Sequence, residues 1–371
     1  MDISQLNTLT AQVLWAAFIL AALFGAVVQR THFCTMGAVS DIVNMGDWTR
    51  MRVWGMAIGV AMIGFYGLAA AGLIDPAKAV YASNRFVWLS ALVGGLLFGF
   101  GMVLASGCGS KTLVRIGGGN LKSLVVFVVM AVAAFATLKG ITAVLRVGTV
   151  DRVAIDFSGN AALPTWAAGM AGVSPALAGL VLALVLGGGL IVWALAGSGF
   201  RRFDNLLGGL GIGLLIAAMW WLSGHMAYIA EHPETLEETF LVTNSGRMEA
   251  LSFVAPMAYT IDWLIFFSDK TKLLTLGVVS VFGVVAGSAL YSLLSRSFHW
   301  EGFRNTEDTA NHLVGAVLMG VGGVTAMGCT IGQGLSGIST LSATSFVAVA
   351  AIIAGAVAGL KYQIWRLEHS V

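Results

Sequence analysis

Residues 94–108 read GGLLFGFGMVLASGC, and residues 315–329 read GAVLMGVGGVTAMGC. Gly94, Gly99, Gly101, Gly107 and Cys108 stand at the same offsets as Gly315, Gly320, Gly322, Gly328 and Cys329. With 48 glycines in 371 residues, one coincidence means little; four matched glycines ending on two of only three cysteines mark an internal repeat. The shared offset of 221 residues carries Cys34 to Ala255, inside the stretch 252–256. It also pairs apolar run 86–106 with 310–327, and 121–145 with 343–366.

The repeat lies in a chain suited to lipid rather than water. Hydrophobic residues make up 58% of the sequence and charged residues 10%, with a mean hydropathy of +0.88. A soluble domain carries roughly 25% charged residues. Apolar runs near the ~20 residues needed to cross a bilayer recur throughout. Nine spans are expected, at about 11–31, 52–74, 86–106, 121–145, 175–197, 203–225, 272–296, 310–327 and 343–366. With no water in the hydrocarbon, only helices satisfy their backbone groups there. The first run follows Met1 and Asp2 without a basic n-region, so a mature span is expected rather than a cleaved signal.

Four apolar or Gly-rich stretches are too short to cross: 33–41, 108–119, 251–256 and 329–339. They read as re-entrant short helices, tolerated at membrane depth where protein or a cavity surrounds them. The expected fold is thus an all-α membrane protein, one integral domain over 1–371. It has nine transmembrane helices and four re-entrant short helices. Four spans in the first half (11–145) return the chain to its starting side, and the linking helix 175–197 then crosses it. The second half (203–366) is therefore inserted upside down, a pseudo-twofold inverted repeat of the kind transporters use to build a midplane site. Loops 75–85, 146–174 and 226–250 are expected outside the hydrocarbon, with Glu231, Glu234, Glu237 and Glu238 forming a solvated acidic face. The larger share of Lys and Arg falls on connections that are inside if the N-terminus is outside, which predicts an N-out, C-in chain.

The net charge of +2 gives no reason to expect nucleic acid, and no nucleotide-binding motif or cofactor signature is present. The three cysteines, Cys34, Cys108 and Cys329, form neither a CxxC pair nor zinc spacing, so no metal site is expected. All three fall at predicted helix breaks, where Gly107 and Gly328 would permit the turn. Thiols are soft, weak donors, mostly protonated at neutral pH. Lining a path, they could pass along a dianion with a soft outer sulfur, without trapping it. Lys111 and Arg115 follow Cys108 at helical spacing and could draw in an anion or simply mark the inner side. Arg30 and His32 precede Cys34, as anion contacts or an interfacial pair. Gln333 and Ser336 lie beside Cys329 and could bond substrate oxygens. Ser252 opens the cysteine-free fourth break.

The chain resembles the YeeE/YedE family of membrane sulfur transporters. The likeness rests on Arg30-x2-Phe33-Cys34, Gly107-Cys108-Gly109, Ser252-Phe253-Val254-Ala255-Pro256, and Met327-Gly328-Cys329-Thr330-x-Gly332-Gln333-Gly334. The resemblance implies a transporter rather than an enzyme, in the bacterial inner membrane with a periplasmic N-terminus and cytoplasmic C-terminus. It implies uptake of thiosulfate or a related sulfur anion, a path through Cys34, Cys108 and Cys329, and a cytoplasmic sulfur-carrier partner. The substrate comes from the resemblance alone. A thiol redox protein would want a CxxC pair, and a soft-metal permease His pairs or Met-x-x-Met runs; neither is found. Channel-like and proton-coupled movement both fit the sequence.

Overall fold

The computed structural model describes residues 3–369 apart from Glu234 and Lys270. The expectations for Met1, Asp2, Glu234 and Lys270 fall outside the described residues. The chain opens with α1 (Ile3–Thr31), α2 (Thr35–Met45) and α3 (Thr49–Ala70), then α4 (Trp88–Leu104), α5 (Gly109–Gly117) and α6 (Leu121–Lys139). Two short helices, α7 (Ile141–Gly148) and α8 (Leu163–Ala171), lead to α9 (Pro175–Leu195). The remainder is α10 (Phe203–Met226), α11 (Val254–Ile265), α12 (Leu276–Leu294), α13 (Thr306–Thr325) and α14 (Ala343–His369). Two antiparallel strand pairs tie the loops: β1 (Arg85–Phe86) with β2 (Ile155–Asp156), and β3 (Tyr228–Ile229) with β4 (Thr239–Phe240).

The fold is mostly helical, without a closed sheet, and eight stretches are long and apolar enough to cross a membrane. The expected span 310–327 is the 20-residue α13, which is outside that set and carries Glu307 and Asp308 in its first turn. The expected span 121–145 is broken. Gly140 is extended, so α6 stops and α7 starts afresh, and an added Cβ there would meet Ala136 at 2.9 Å, which reserves the break for glycine. Loop 146–174 contains α8, which the sequence left as a connection.

Helix starts follow from side chains that accept the free first-turn N–H groups. Asn120 takes the Ser123 N–H at 2.8 Å to open α6, and Asn305 takes that of Asp308 at 2.7 Å to open α13. Helices of this kind have no hydrophobic drive to associate within lipid, so close packing at small residues must hold them. That is what is seen. α1 packs on α12, where a Cβ at Gly287 would stand 1.8 Å from the Ala22 carbonyl oxygen. α4 packs on α14, where one at Gly99 would stand 2.0 Å from that of Ile352. α13 lies between α4 and α6, and α3 against α10. On the outside of α6, Leu124, Val128 and Val132 are exposed at successive helical turns, as a lipid-facing stripe would be.

Candidate functional site

Each cysteine stands at the start of a new helical segment, just after a left-handed residue. His32, Ser106 and Met327 have φ of 52°, 57° and 58°, and Cys34, Cys108 and Cys329 follow two positions later. The sequence expects the sharp turn at Gly107 and Gly328; Ser106 and Met327, one position earlier, are left-handed, and Gly328 itself also has a positive φ of 158°, whereas Gly107 does not. At both places the glycine N–H closes the preceding helix, Gly107 onto Met102 O and Gly328 onto Gly323 O, each at 2.8 Å. The chain then redirects, and the thiol becomes the first polar group of the next segment.

Two of those thiols, Cys34 and Cys329, serve as caps, while Cys108 makes no cap bond with its side chain. The Gly37 N–H donates to Cys34 Sγ at 3.5 Å, and the Gly332 N–H to Cys329 Sγ at 3.4 Å. Cys108 Sγ lies 3.3 Å from Ser110 Oγ. Cys34 is half-buried, while Cys108 and Cys329 are buried; all three are free thiols. Cys34 and Cys108, 74 positions apart, stand within hydrogen-bonding reach of one another. The Thr330 hydroxyl, next to Cys329, also reaches toward Cys108. The order in space is therefore Cys34, Cys108, Cys329.

Cavities flank this line. One of about 330 Å³ opens on Cys34 with Asp41, Arg50 and Trp54. Beside it, one of about 410 Å³ is lined by His32, Ser106, Lys111, Arg115, Lys122 and Arg304. Lys122 is ion-paired to Glu301 and Asp308 there, whereas Lys111 and Arg115 form no salt bridge among the described residues, Arg115 acting on Glu301 only at longer range. A third cavity, about 180 Å³, is lined by Tyr81, Glu249, Ser252, Tyr259 and Met327. Asp308, in the first turn of α13, borders the 410 Å³ cavity, and Met327, two residues past the end of α13, borders the third; the helix covers about 26 Å from Asp308 to Thr325 at 1.5 Å per residue. Tyr81 brings the third cavity close to Cys329.

The other sequence candidates divide. Arg30 is ion-paired to Asp204 at 3.0 Å on the surface and stacks on Phe203. Gln333 is engaged at both ends of its amide, donating to Ala326 O at 2.7 Å and accepting from Ser345 Oγ at 2.6 Å. Ser336 donates to Leu251 O at 2.8 Å. These three are held by protein. Ser252 covers the Gly332 backbone, where an added Cβ would meet its Oγ at 2.6 Å. Among the described residues no three His, Cys, Asp or Glu side chains converge as metal ligands would.

Sequence reasoning passed over Thr35, Trp54, Tyr81, Glu249 and Thr330. A signal for two of them was present, since Cys34-Thr35 and Cys329-Thr330 repeat the same dipeptide. At the third cavity, burial pushes the Glu249 carboxyl above the usual carboxylate range, against the lowering effect of hydrogen bonds from Ser245. Burial likewise pushes the Tyr81 phenol up.

A polytopic helical bundle with broken helices meeting at buried polar atoms is the form of a membrane transport protein. The family model for sulphur transport matches residues 30–358, and the chain belongs to this YeeE/YedE sulphur-transport family. It is similar to the thiosulfate transporter TsuA of Escherichia coli K12, at 27% identity over 346 residues, 86% of each chain. It is also similar to TsuA of Spirochaeta thermophila, at 25% identity over 358 residues, 92% of this chain and 97% of that one. The probable transporter YedE of Salmonella typhimurium matches at 31% identity over 96 residues, 25% of this chain and 21% of the other.

Proposed function

We propose that this protein takes up thiosulfate, or a closely related sulfur anion, across the bacterial inner membrane through a path formed by Cys34, Cys108 and Cys329. The observation that carries this reading is the succession of the three thiols between cavities at opposite ends of α13. A protonated thiol offers an S–H donor and a polarisable surface to a soft terminal sulfur, and one thiol alone holds it weakly. Successive weak contacts let an anion move on. Lys111 and Arg115, which form no salt bridge at the 410 Å³ cavity although Glu301 and Asp308 also line it, suit attraction of a negative substrate.

The packing supports the inverted-repeat reading. Exchanging the halves converts the α1–α12 contact into α10–α3, and the α4–α14 contact into α13–α6; all four are present. On this reading α13 is the ninth span. The segments starting after Cys34, Cys108, Phe253 and Cys329 are the four re-entrants, Gly107 and Gly328 help redirect the chain, and Ser252 flanks the path. The basic excess favours a periplasmic N-terminus and cytoplasmic C-terminus. A cytoplasmic sulfur-carrier protein would receive the product.

The test is uptake of labelled thiosulfate into proteoliposomes holding wild type or Cys34→Ser, Cys108→Ser or Cys329→Ser. Wild type is expected to transport, and each variant to insert normally but fail. Transport by all three variants would remove the thiol path; no transport by wild type would remove the substrate.

A further inference from the structure

Seven threonines are buried among the described residues. Five satisfy their hydroxyls on a backbone carbonyl: Thr112 on Cys108, Thr137 on Ala133, Thr260 on Pro256, Thr325 on Val321 and Thr340 on Gly337. This is the ordinary device for hiding a hydroxyl in a helix, since the carbonyl one turn back is always at hand. Thr35 and Thr330, 2% and 1% exposed, make no hydrogen bond to a protein oxygen or nitrogen, and Thr330 has only the Cys108 thiol within reach. Both immediately follow a cysteine at a chain break, so no helical turn precedes them to offer that carbonyl. The buried indole Nε1–H of Trp54 is also without a partner, although the equally buried Trp220 donates to Ser339 Oγ at 3.0 Å.

These orphans gather at the thiols. Thr35 adjoins Cys34, Trp54 lines the cavity that opens on Cys34, and Thr330 adjoins Cys329 and reaches toward Cys108. Leaving a buried donor unpaired is costly, most of all where neighbouring groups are apolar. Three such donors around one line of thiols point to an acceptor that arrives from outside. Indole N–H is a donor only, so its missing partner must be an acceptor.

We propose that Thr35, Trp54 and Thr330 bind the oxygen end of the substrate while the thiols bind its sulfur end. This rests on the thiol-path reading above and extends it. The site then recognises an oxyanion that carries a terminal soft sulfur. Sulfate lacks the soft atom and hydrogen sulfide lacks the oxygens, so each engages half of the set. Selectivity arises from requiring both halves on one small ion, because a rival missing either end leaves buried groups unpaired.

The experiment compares Thr35→Val, Thr330→Val and Trp54→Phe with Thr35→Ser and Thr330→Ser, measuring thiosulfate uptake in proteoliposomes and thermal unfolding in detergent without substrate. Val matches Thr in shape and lacks the orphan hydroxyl. The Val variants are therefore expected to unfold at or above the wild-type temperature, and Trp54→Phe somewhat below it because the buried indole also packs on Gly334, while all three need about tenfold more thiosulfate for half-maximal uptake. The Ser variants should keep near wild-type affinity. Unchanged affinity in the Val and Phe variants would overturn the inference and leave the thiol path standing. Loss of thermal stability in the two Val variants would also overturn it, by making those hydroxyls structural. Failure of wild type to move thiosulfate would remove the reading on which it rests, and the inference with it.

Discussion

Ser106 and Met327, 221 positions apart, hold the same left-handed backbone conformation, φ 57° and 58°, each two residues before a buried cysteine. Neither is a glycine, although this region disfavours any Cβ and glycines are plentiful nearby. The following amides make matching bonds onto the preceding helices, Gly107 to Met102 O and Gly328 to Gly323 O. Two distant segments thus end a helix and present a thiol in the same way. His32, φ 52°, does so ahead of Cys34.

Relief of this strain is measurable. A left-handed non-glycine residue costs about 1 kcal/mol. Ser106→Gly should unfold at a temperature no lower than wild type, while the β-branched Ser106→Val should be clearly less stable. Equal melting of both variants in detergent would remove strain from the description of the break.

The glycine repeat predicts intolerance at the α4–α13 contact. A Cβ at Gly101 would stand 2.7 Å from Gly315 O, and one at Gly315 2.6 Å from Gly101 O. Gly101→Ala should therefore destabilise by about 1–3 kcal/mol, the usual cost of overpacking. Gly67, with nothing within 4 Å of its would-be Cβ, is the control and should accept alanine. Thermal melts of the two variants decide the matter.

Glu249 predicts a pH dependence. Its carboxyl titrates above the ordinary range because it is buried at the third cavity. For a carboxyl whose folded value is raised, the native state holds the proton more tightly than the unfolded chain. Stability therefore falls as pH rises from the ordinary glutamate value through the raised one. In the same window the ionised form begins to repel an anion at this mouth. Glu249→Gln should flatten the stability profile across that window and raise uptake at neutral pH, as paired melts and uptake curves would record.

Proximity of Cys34 and Cys108 predicts a crosslink. Treatment with copper phenanthroline should take two electrons and two protons from the thiols to join them, stopping uptake until dithiothreitol restores it. Cys329→Ser should still crosslink and Cys108→Ser should not. Non-reducing mass spectrometry of the peptides carrying Cys34 and Cys108 reads the outcome directly.

Much of the architecture was legible because lipid imposes simple rules. Span length, low charge and a ban on unpaired backbone place most of the helices from composition and periodicity. Gly140 escaped because one glycine within an apolar run is ordinarily tolerated, and only the structure shows its extended backbone pressed on Ala136, where no other residue would fit. The thiols were legible as a set because they are the only three cysteines and two are related by the repeat. Gln333 and Ser336 were singled out for polarity next to Cys329, yet the structure commits them to Ala326 O, Ser345 Oγ and Leu251 O. A polar residue in a sequence does not reveal whether its hydrogen bonds are already taken.

The sequence by itself determined that the chain is a membrane protein, that a glycine–cysteine pattern recurs 221 positions apart, and that its cysteines fall at breaks. These are properties of order along the chain: run lengths, offsets and residue types. Only the tertiary structure decided that Cys34 and Cys108 are neighbours, that Arg30 is paired to Asp204, and that Thr35, Trp54 and Thr330 make no hydrogen bond to a protein oxygen or nitrogen. Pairing between residues far apart in sequence depends on how helices cross, and hydrogen-bond satisfaction is a property of a three-dimensional neighbourhood that no local pattern encodes.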